Sequence, residues 1–187
     1  MQQKLQTQSV SMLDLDSPRW ETLSVRSRDV KCPAINDMLR ATLASPDDPE
    51  WFANTWPYLC SEGTAHEAAF AAVPYIVESM AAAQPANRGV YLAFLSLVVS
   101  SNCEASEEFL KDYKSAIAKT QKLAGEFIGV TNNVPHLRYA IGLVARLFGM
   151  PRCADHIESL ECSFCYNTFD SKPQKLAILD KQFRRAN

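Results

Sequence analysis

The residues best equipped for chemistry lie near the carboxy end. Cys162-Ser163-Phe164-Cys165 has the spacing of a zinc knuckle or a redox pair, because two thiolates two residues apart can grip one metal ion or close a small disulfide ring. A tetrahedral zinc site needs four ligands, and Cys153 and His156, one helical turn apart, are the nearest candidates for the other two. His66-Glu67 has the first half of a metalloprotease pair. Its second histidine would fall at position 70, which is Phe70, so that motif fails. His136 has no carboxylate or nucleophile partner in sequence, and the chain lacks a Gly-x-Ser-x-Gly elbow, a phosphate loop and a Gly-x-Gly-x-x-Gly turn. No enzyme activity is expected from these residues, and no cofactor other than zinc at the cysteines.

A second constellation is made of charge. Residues 41–87 contain Asp47, Asp48, Glu50, Glu62, Glu67 and Glu78 and not one Lys or Arg. The whole chain carries a formal net charge of only −2, so the molecule is polarised, its remaining residues being net basic. A segment of one sign steers an oppositely charged partner, here a basic protein. Trp51, Trp56 and Tyr58 lie within the same segment, and aromatic anchors among charges are where interfaces concentrate their binding energy. The competing duties are ordinary ones: Asp47, Asp48, Glu50 and Glu67 can cap helix starts, and the tryptophans can pack in a core. Asp47, Asp48, Glu50, Trp51, Trp56, Tyr58 and Glu62 are therefore the expected partner-binding residues.

These side chains need a scaffold, and the sequence reads as all-α. In 187 residues, 47% hydrophobic and 21% charged, there are six glycines and ten prolines, too few for a chain dominated by tight turns. Ser17-Pro18 starts a helix with a good cap and a proline at its first position. Cys32-Pro33 opens a second, with Ile35, Met38, Leu39 and Leu43 on one face. A third runs from the carboxylates near Glu50 to about Cys60. Thr64 and Glu67 form a capping box for an alanine-rich helix in which Pro74 predicts a kink or break near Ala72-Val73. The run Val90 to Val99 is apolar all round, as in a central helix, with a buried strand as the alternative. Ser106 caps a long amphipathic helix bearing Phe109, Tyr113, Ile117 and Phe127. Leu137, Ile141, Val144 and Phe148 define the apolar face of the next helix, which Gly149-Met150-Pro151 closes, and a last helix runs over 151–160.

The count is seven or eight helices, paired as antiparallel hairpins that must stack to cover their apolar faces. Residues 1–161 are read as one domain, 1–12 being a flexible leader, and 162–187 as the Cys-x-x-Cys element with a basic tail. In that tail Lys172, Lys175, Lys181, Arg184 and Arg185 stand against Asp180, while Leu176, Ile178, Leu179 and Phe183 give a partial apolar face. It could dock on the body or on a second copy, so homo-oligomers are conceivable. With a pI near 5.9 the chain is not expected to bind nucleic acid. Val90–Val99, ten residues, is half the length needed to span a bilayer, so no membrane span is expected. The polar start and scattered cysteines point to a reducing cytoplasm.

One stretch resembles a known family. The ordered residues Trp51, Trp56, Leu59-Cys60, Gly63-Thr64, Ala68, Ala71-Ala72-Val73-Pro74 and Ile76-Val77 are similar to those of small bacterial HEAT-like proteins. The likeness extends from Asp16-Ser17-Pro18-Arg19-Trp20 to the terminal Cys162 and Cys165. It implies an α-solenoid-like fold, no established enzyme activity and, in some relatives, a genetic neighbourhood of toxins and immunity proteins. This chain departs from the pattern at Ser61-Glu62, where relatives often read His-Gln, and at Cys162-Ser163-Phe164-Cys165-Tyr166, where they read Cys-Pro-x-Cys-Gly. The expectation is thus a cytoplasmic interaction module, of which an immunity-type protein is one version and a zinc- or small-ligand-binding protein the alternative.

Overall fold

The computed structural model describes residues 12–25, 34–48, 50–61 and 64–159, apart from the side chains of Trp51, Thr55 and Ser61. The expected leader up to Ser11, the helix start at Cys32-Pro33, Glu62-Gly63 and everything from Leu160 onward lie outside the described residues. Within them the chain is mostly helical. Ser17 does cap a helix, its Oγ accepting from the Arg19 amide at 3.2 Å, but this is a four-residue 3-10 turn, Pro18–Glu21. Trp20 in that turn is buried, its indole N–H donating to the Asp14 carbonyl at 2.9 Å.

Helix α1 (Ile35–Ala44) buries Ile35, Met38 and Leu39 on its apolar face. After the Ser45 to Asp48 turn comes a short helix α2 (Glu50–Thr55). It ends earlier than the sequence pattern predicts. A 3-10 turn (Trp56–Tyr58) follows, then a two-residue antiparallel hairpin in which β1 (Cys60–Ser61) pairs with β2 (Thr64–Ala65). Because Thr64 is taken into this hairpin, the expected capping box with Glu67 does not form. The cap position of helix α3 (Glu67–Ala82) is His66, and the acceptors for its first amides come from a distant segment. Glu67 N–H donates to Ser24 Oγ at 3.0 Å and Ala68 N–H to the Ser24 carbonyl at 3.1 Å.

Pro74 does not break α3, which continues through it for 16 residues. A mid-helix proline removes a hydrogen bond and costs about 3 kcal/mol. Packing offsets that loss, since twelve of the sixteen side chains are buried, Pro74 among them. The alanines keep α3 thin enough to pack against α1 and two later helices at once. The apolar run Val90–Val99 lies in helix α4 (Gly89–Ser100), which settles the strand alternative in favour of helix. Helix α5 (Glu107–Ile128) follows the Ser106 cap position and places Phe109, Ala116, Ala124 and Phe127 inward.

Helix α6 (Val134–Leu147) begins with the Asn133 side chain accepting from the His136 amide at 3.1 Å. It ends in a Schellman turn: Gly149 N–H donates to the Arg146 carbonyl and Met150 N–H to the Ala145 carbonyl, both at 2.9 Å, with Gly149 at φ +74°. Helix α7 (Pro151–Ser159) returns along α6. Besides the hairpin contacts α3–α4, α5–α6 and α6–α7, the main packing is between alternate helices, α1 on α3, α3 on α5 and α4 on α6.

The face expected to seat α6 is not its buried one. Ala140, Gly142, Leu143 and Ala145 are buried, whereas Ile141 and Phe148 of the predicted stripe are exposed and Leu137 and Val144 only half-buried. The inner positions are small because neighbours come very close. A Cβ on Gly142 would lie 2.2 Å from Glu158 Oε1, and one on Gly89 would lie 2.3 Å from His136 Nδ1. Periodicity alone reports an apolar stripe; close approach of helices selects small residues, which periodicity does not weight.

Candidate functional site

The acidic aromatic segment folds into the corner between α1 and α2. Its inside is aromatic. Phe52, 1% exposed, stacks on Tyr91 at a ring-centroid distance of 5.4 Å and meets Phe94 edge-on at 5.3 Å. Trp56 is half-buried and lies 6.3 Å from the same Phe94 ring, so it serves packing on one side and is open on the other. Tyr58 is half-buried. The backbone of α2 is described and the side chain of Trp51 is not, and Glu62 lies outside the described residues.

The carboxylates of the corner divide by duty. Asp47 Oδ1 accepts from the Gln84 amide at 2.7 Å and from Asn87 Nδ2 at 3.0 Å, which clasps the α1–α2 turn to the turn between α3 and α4. Those two donors, with the nearby Arg88 charge, hold its carboxyl below the usual aspartate range. Tyr91 reinforces the clasp by donating to the Pro46 carbonyl at 2.8 Å. Burial first, then the charges of Asp47 and Asp48, push its phenol up to about 12. Asp48 accepts a long 3.4 Å bond from the Glu50 amide at the start of α2 and is otherwise exposed, as is Glu50. Among the described residues no Lys, Arg or His pairs with Asp48 or Glu50.

The other acids of the segment do not join this corner. Glu67 opens the far end of α3, where Arg19 Nη2 donates to it at 2.9 Å and to Glu108 at 3.1 Å. Glu78 is exposed on α3 and lines a groove of 650 Å³ between α3 and α5. Pro74, Val77 and Leu123 line this groove too, and Asp112, Lys119 and Lys122 add charge of both signs. Arg88, which borders it, is 5% exposed and already engaged. Its Nε donates to the Ala83 carbonyl at 3.2 Å and its Nη1 to Glu126 at 2.5 Å. Among the described residues, the groove therefore offers no uncommitted buried charge to a ligand.

Cys153 and His156 are both exposed on α7, while Cys162 and Cys165 lie outside the described residues. Among the described residues no group of three metal-ligating side chains comes together. Cys60, in β1, is buried, and burial pushes its thiol up to about 12, which keeps it protonated at neutral pH.

Sequence reasoning overlooked a polar cluster under α7. Arg146 donates to Glu158 Oε2 at 2.6 Å and to Asp155 Oδ1 at 2.8 Å, and Glu158 Oε1 accepts from Ser96 Oγ of α4 at 2.5 Å. The Arg146 and Glu158 side chains are only 10% and 16% exposed. Their signal was available, since Arg146 lies within an apolar helix and Glu158 twelve residues on, but contact across a helix hairpin is not a spacing rule. No described helix is long and apolar enough to cross a membrane. The chain matches no family model, no curated protein and no solved structure.

Proposed function

We propose that this protein is a non-catalytic interaction module, made of stacked antiparallel helical hairpins in the HEAT-like manner, that docks a basic polypeptide on the α1–α2 corner. The packing of alternate helices, α1 on α3 on α5 and α4 on α6, supports the stacked reading. The observation that carries the binding reading is the pair of exposed carboxylates, Asp48 and Glu50, uncompensated by any described cation and in the same short segment as the half-buried Trp56 and Tyr58. Exposed charge of one sign over a rigid aromatic base gives long-range attraction and a firm contact surface. Asp47 has a different part in it: it fixes the corner's shape through Gln84 and Asn87. An immunity-type role, with a cationic toxin as the partner, rests on the family resemblance.

The test is co-purification from the native host with the full-length chain as bait. A basic protein recovered with the wild type and lost with Asp48→Lys/Glu50→Lys supports the reading. Recovery of no protein, or of one indifferent to that charge reversal, contradicts it. Lys111→Glu on α5, an exposed position away from the corner, serves as the charge control.

A further inference from the structure

The groove between α3 and α5, at 650 Å³, is of the size that holds small organic ligands, and its charges are sorted along its length. The two helices run parallel. Phe70 of α3 meets Tyr113 of α5 edge-on at 5.4 Å, and Arg88, past the end of α3, reaches Glu126 near the end of α5. Glu78 and Asp112 line the groove from opposite helices. Burial first, then the charges of Asp14, Glu78 and Asp112, push the Tyr75 phenol up, so the three carboxylates gather near one point. Further along α5 come Lys119 and Lys122, with Arg88 across from them. Glu126 takes the charge of Arg88 and lies 4.0 Å from Lys122. Among the described residues Glu78, Asp112 and Lys119 have no ion-pair partner, and Arg88 Nη2 donates no hydrogen bond. Pro74, Val77 and Ala116 make the same groove apolar.

We propose that this groove binds a short apolar peptide with both ends free, its ammonium at Glu78 and Asp112 and its carboxylate at Lys119, Lys122 and the open side of Arg88. The charge pattern selects a dipolar ligand. Glu78, Asp112 and Glu126 balance Arg88, Lys119 and Lys122, so an ion of one sign loses at one end what it gains at the other, whereas a ligand carrying both signs gains at each. The length follows from α5. Asp112 and Lys119 are seven helical steps apart, about 10 Å, which an extended chain covers in about three residues. A single amino acid is too short to reach both ends. Pro74, Val77 and Ala116 give the peptide's side chains an apolar surface, and the Ser115 hydroxyl, which also lines the groove, is available to its backbone. The groove is separate from the α1–α2 corner, so this site stands or falls independently of a protein partner there.

The experiment is calorimetric titration of the full chain with the tripeptide Ala-Leu-Ala, with its N-acetyl and C-amide forms, and with free leucine. The proposal predicts saturable binding of the free tripeptide, weakened about fivefold by blocking either end, the weight of one exposed ion pair, and weakened further still for leucine. Lys119→Glu, at an exposed position, should weaken the free tripeptide by at least as much while leaving the C-amide form nearly unaffected, with the melting temperature unchanged. Lys114→Glu, exposed on α5 and not lining the groove, should leave every affinity as it was. No binding of the free tripeptide at about 10 mM would overturn the proposal. Equal binding of the free and blocked forms would overturn it too, as would a response to Lys114→Glu as large as that to Lys119→Glu.

Discussion

Two regions of the molecule, the α1–α2 corner and the α6–α7 hairpin, are built in different senses. At the α1–α2 corner Asp48 and Glu50 are exposed, while buried Phe52 is in ring contact with both Tyr91 and Phe94. At the α6–α7 hairpin an ion cluster is enclosed and part of the apolar stripe is open: Arg146 and Glu158 are largely buried while Ile141 and Phe148 are exposed. The corner is a finished surface whose shape is fixed from within. What differs is which side chains each region turns to its neighbours.

Substitutions can break this contrast. The largest effect belongs to the corner's base: Phe94→Ala, in a fully buried ring cluster, should cost about 3–5 kcal/mol in urea unfolding. A loss below 1 kcal/mol would mean that the aromatic cluster does not hold the corner. Next comes the enclosed ion cluster. Arg146→Ala leaves Glu158 without its cation at 16% exposure and should cost about 3 kcal/mol, whereas Arg146→Met, which retains the packing volume, should cost no less if charge pairing is what matters. Third, Gly142→Ala forces a Cβ against Glu158 and should lose about 1–3 kcal/mol, read as a lower melting temperature.

The Asp47 clasp makes a pH prediction. Its carboxyl is held low in the folded state, so the unfolded chain binds the proton more readily. The stabilisation is then fully present above the unfolded value, about 3.9, and is lost as pH falls through the lower folded value. Urea midpoints measured from pH 7 down to pH 3 should fall more steeply for the wild type than for Asp47→Asn, and parallel curves would remove the clasp. The smallest effect belongs to the open end. Phe148→Ser should change stability by about 1 kcal/mol at most, consistent with its exposure, and a loss as large as that at Phe94 would erase the contrast between the two ends.

Much of this arrangement could be read from the residues. The all-round apolarity of Val90–Val99 is that of a buried central helix, and the Gly149-Met150-Pro151 stop is a Schellman turn followed by a new helix start. What escaped was non-local. Thr64 and Glu67 have a capping spacing, yet Ser24, 43 residues before Glu67, supplies the acceptor while Thr64 pairs in a hairpin. Pro74 reads as a helix breaker, and burial on several sides carries α3 past it. Of the proposed binding residues, the corner position of Asp48, Glu50, Trp56 and Tyr58 follows from their nearness in sequence. The structural use of Asp47 depends on Gln84 and Asn87, and the separation of Glu67 from the corner depends on Arg19, neither of which a charge count contains.

The corner's role is tested most directly by the affinity of the co-purified partner for the full-length protein, measured by calorimetry at low and at physiological salt. The account predicts that binding weakens as salt rises and falls at least about tenfold further in Asp48→Lys/Glu50→Lys at equal fold stability. An affinity that ignores both salt and that charge reversal would contradict it.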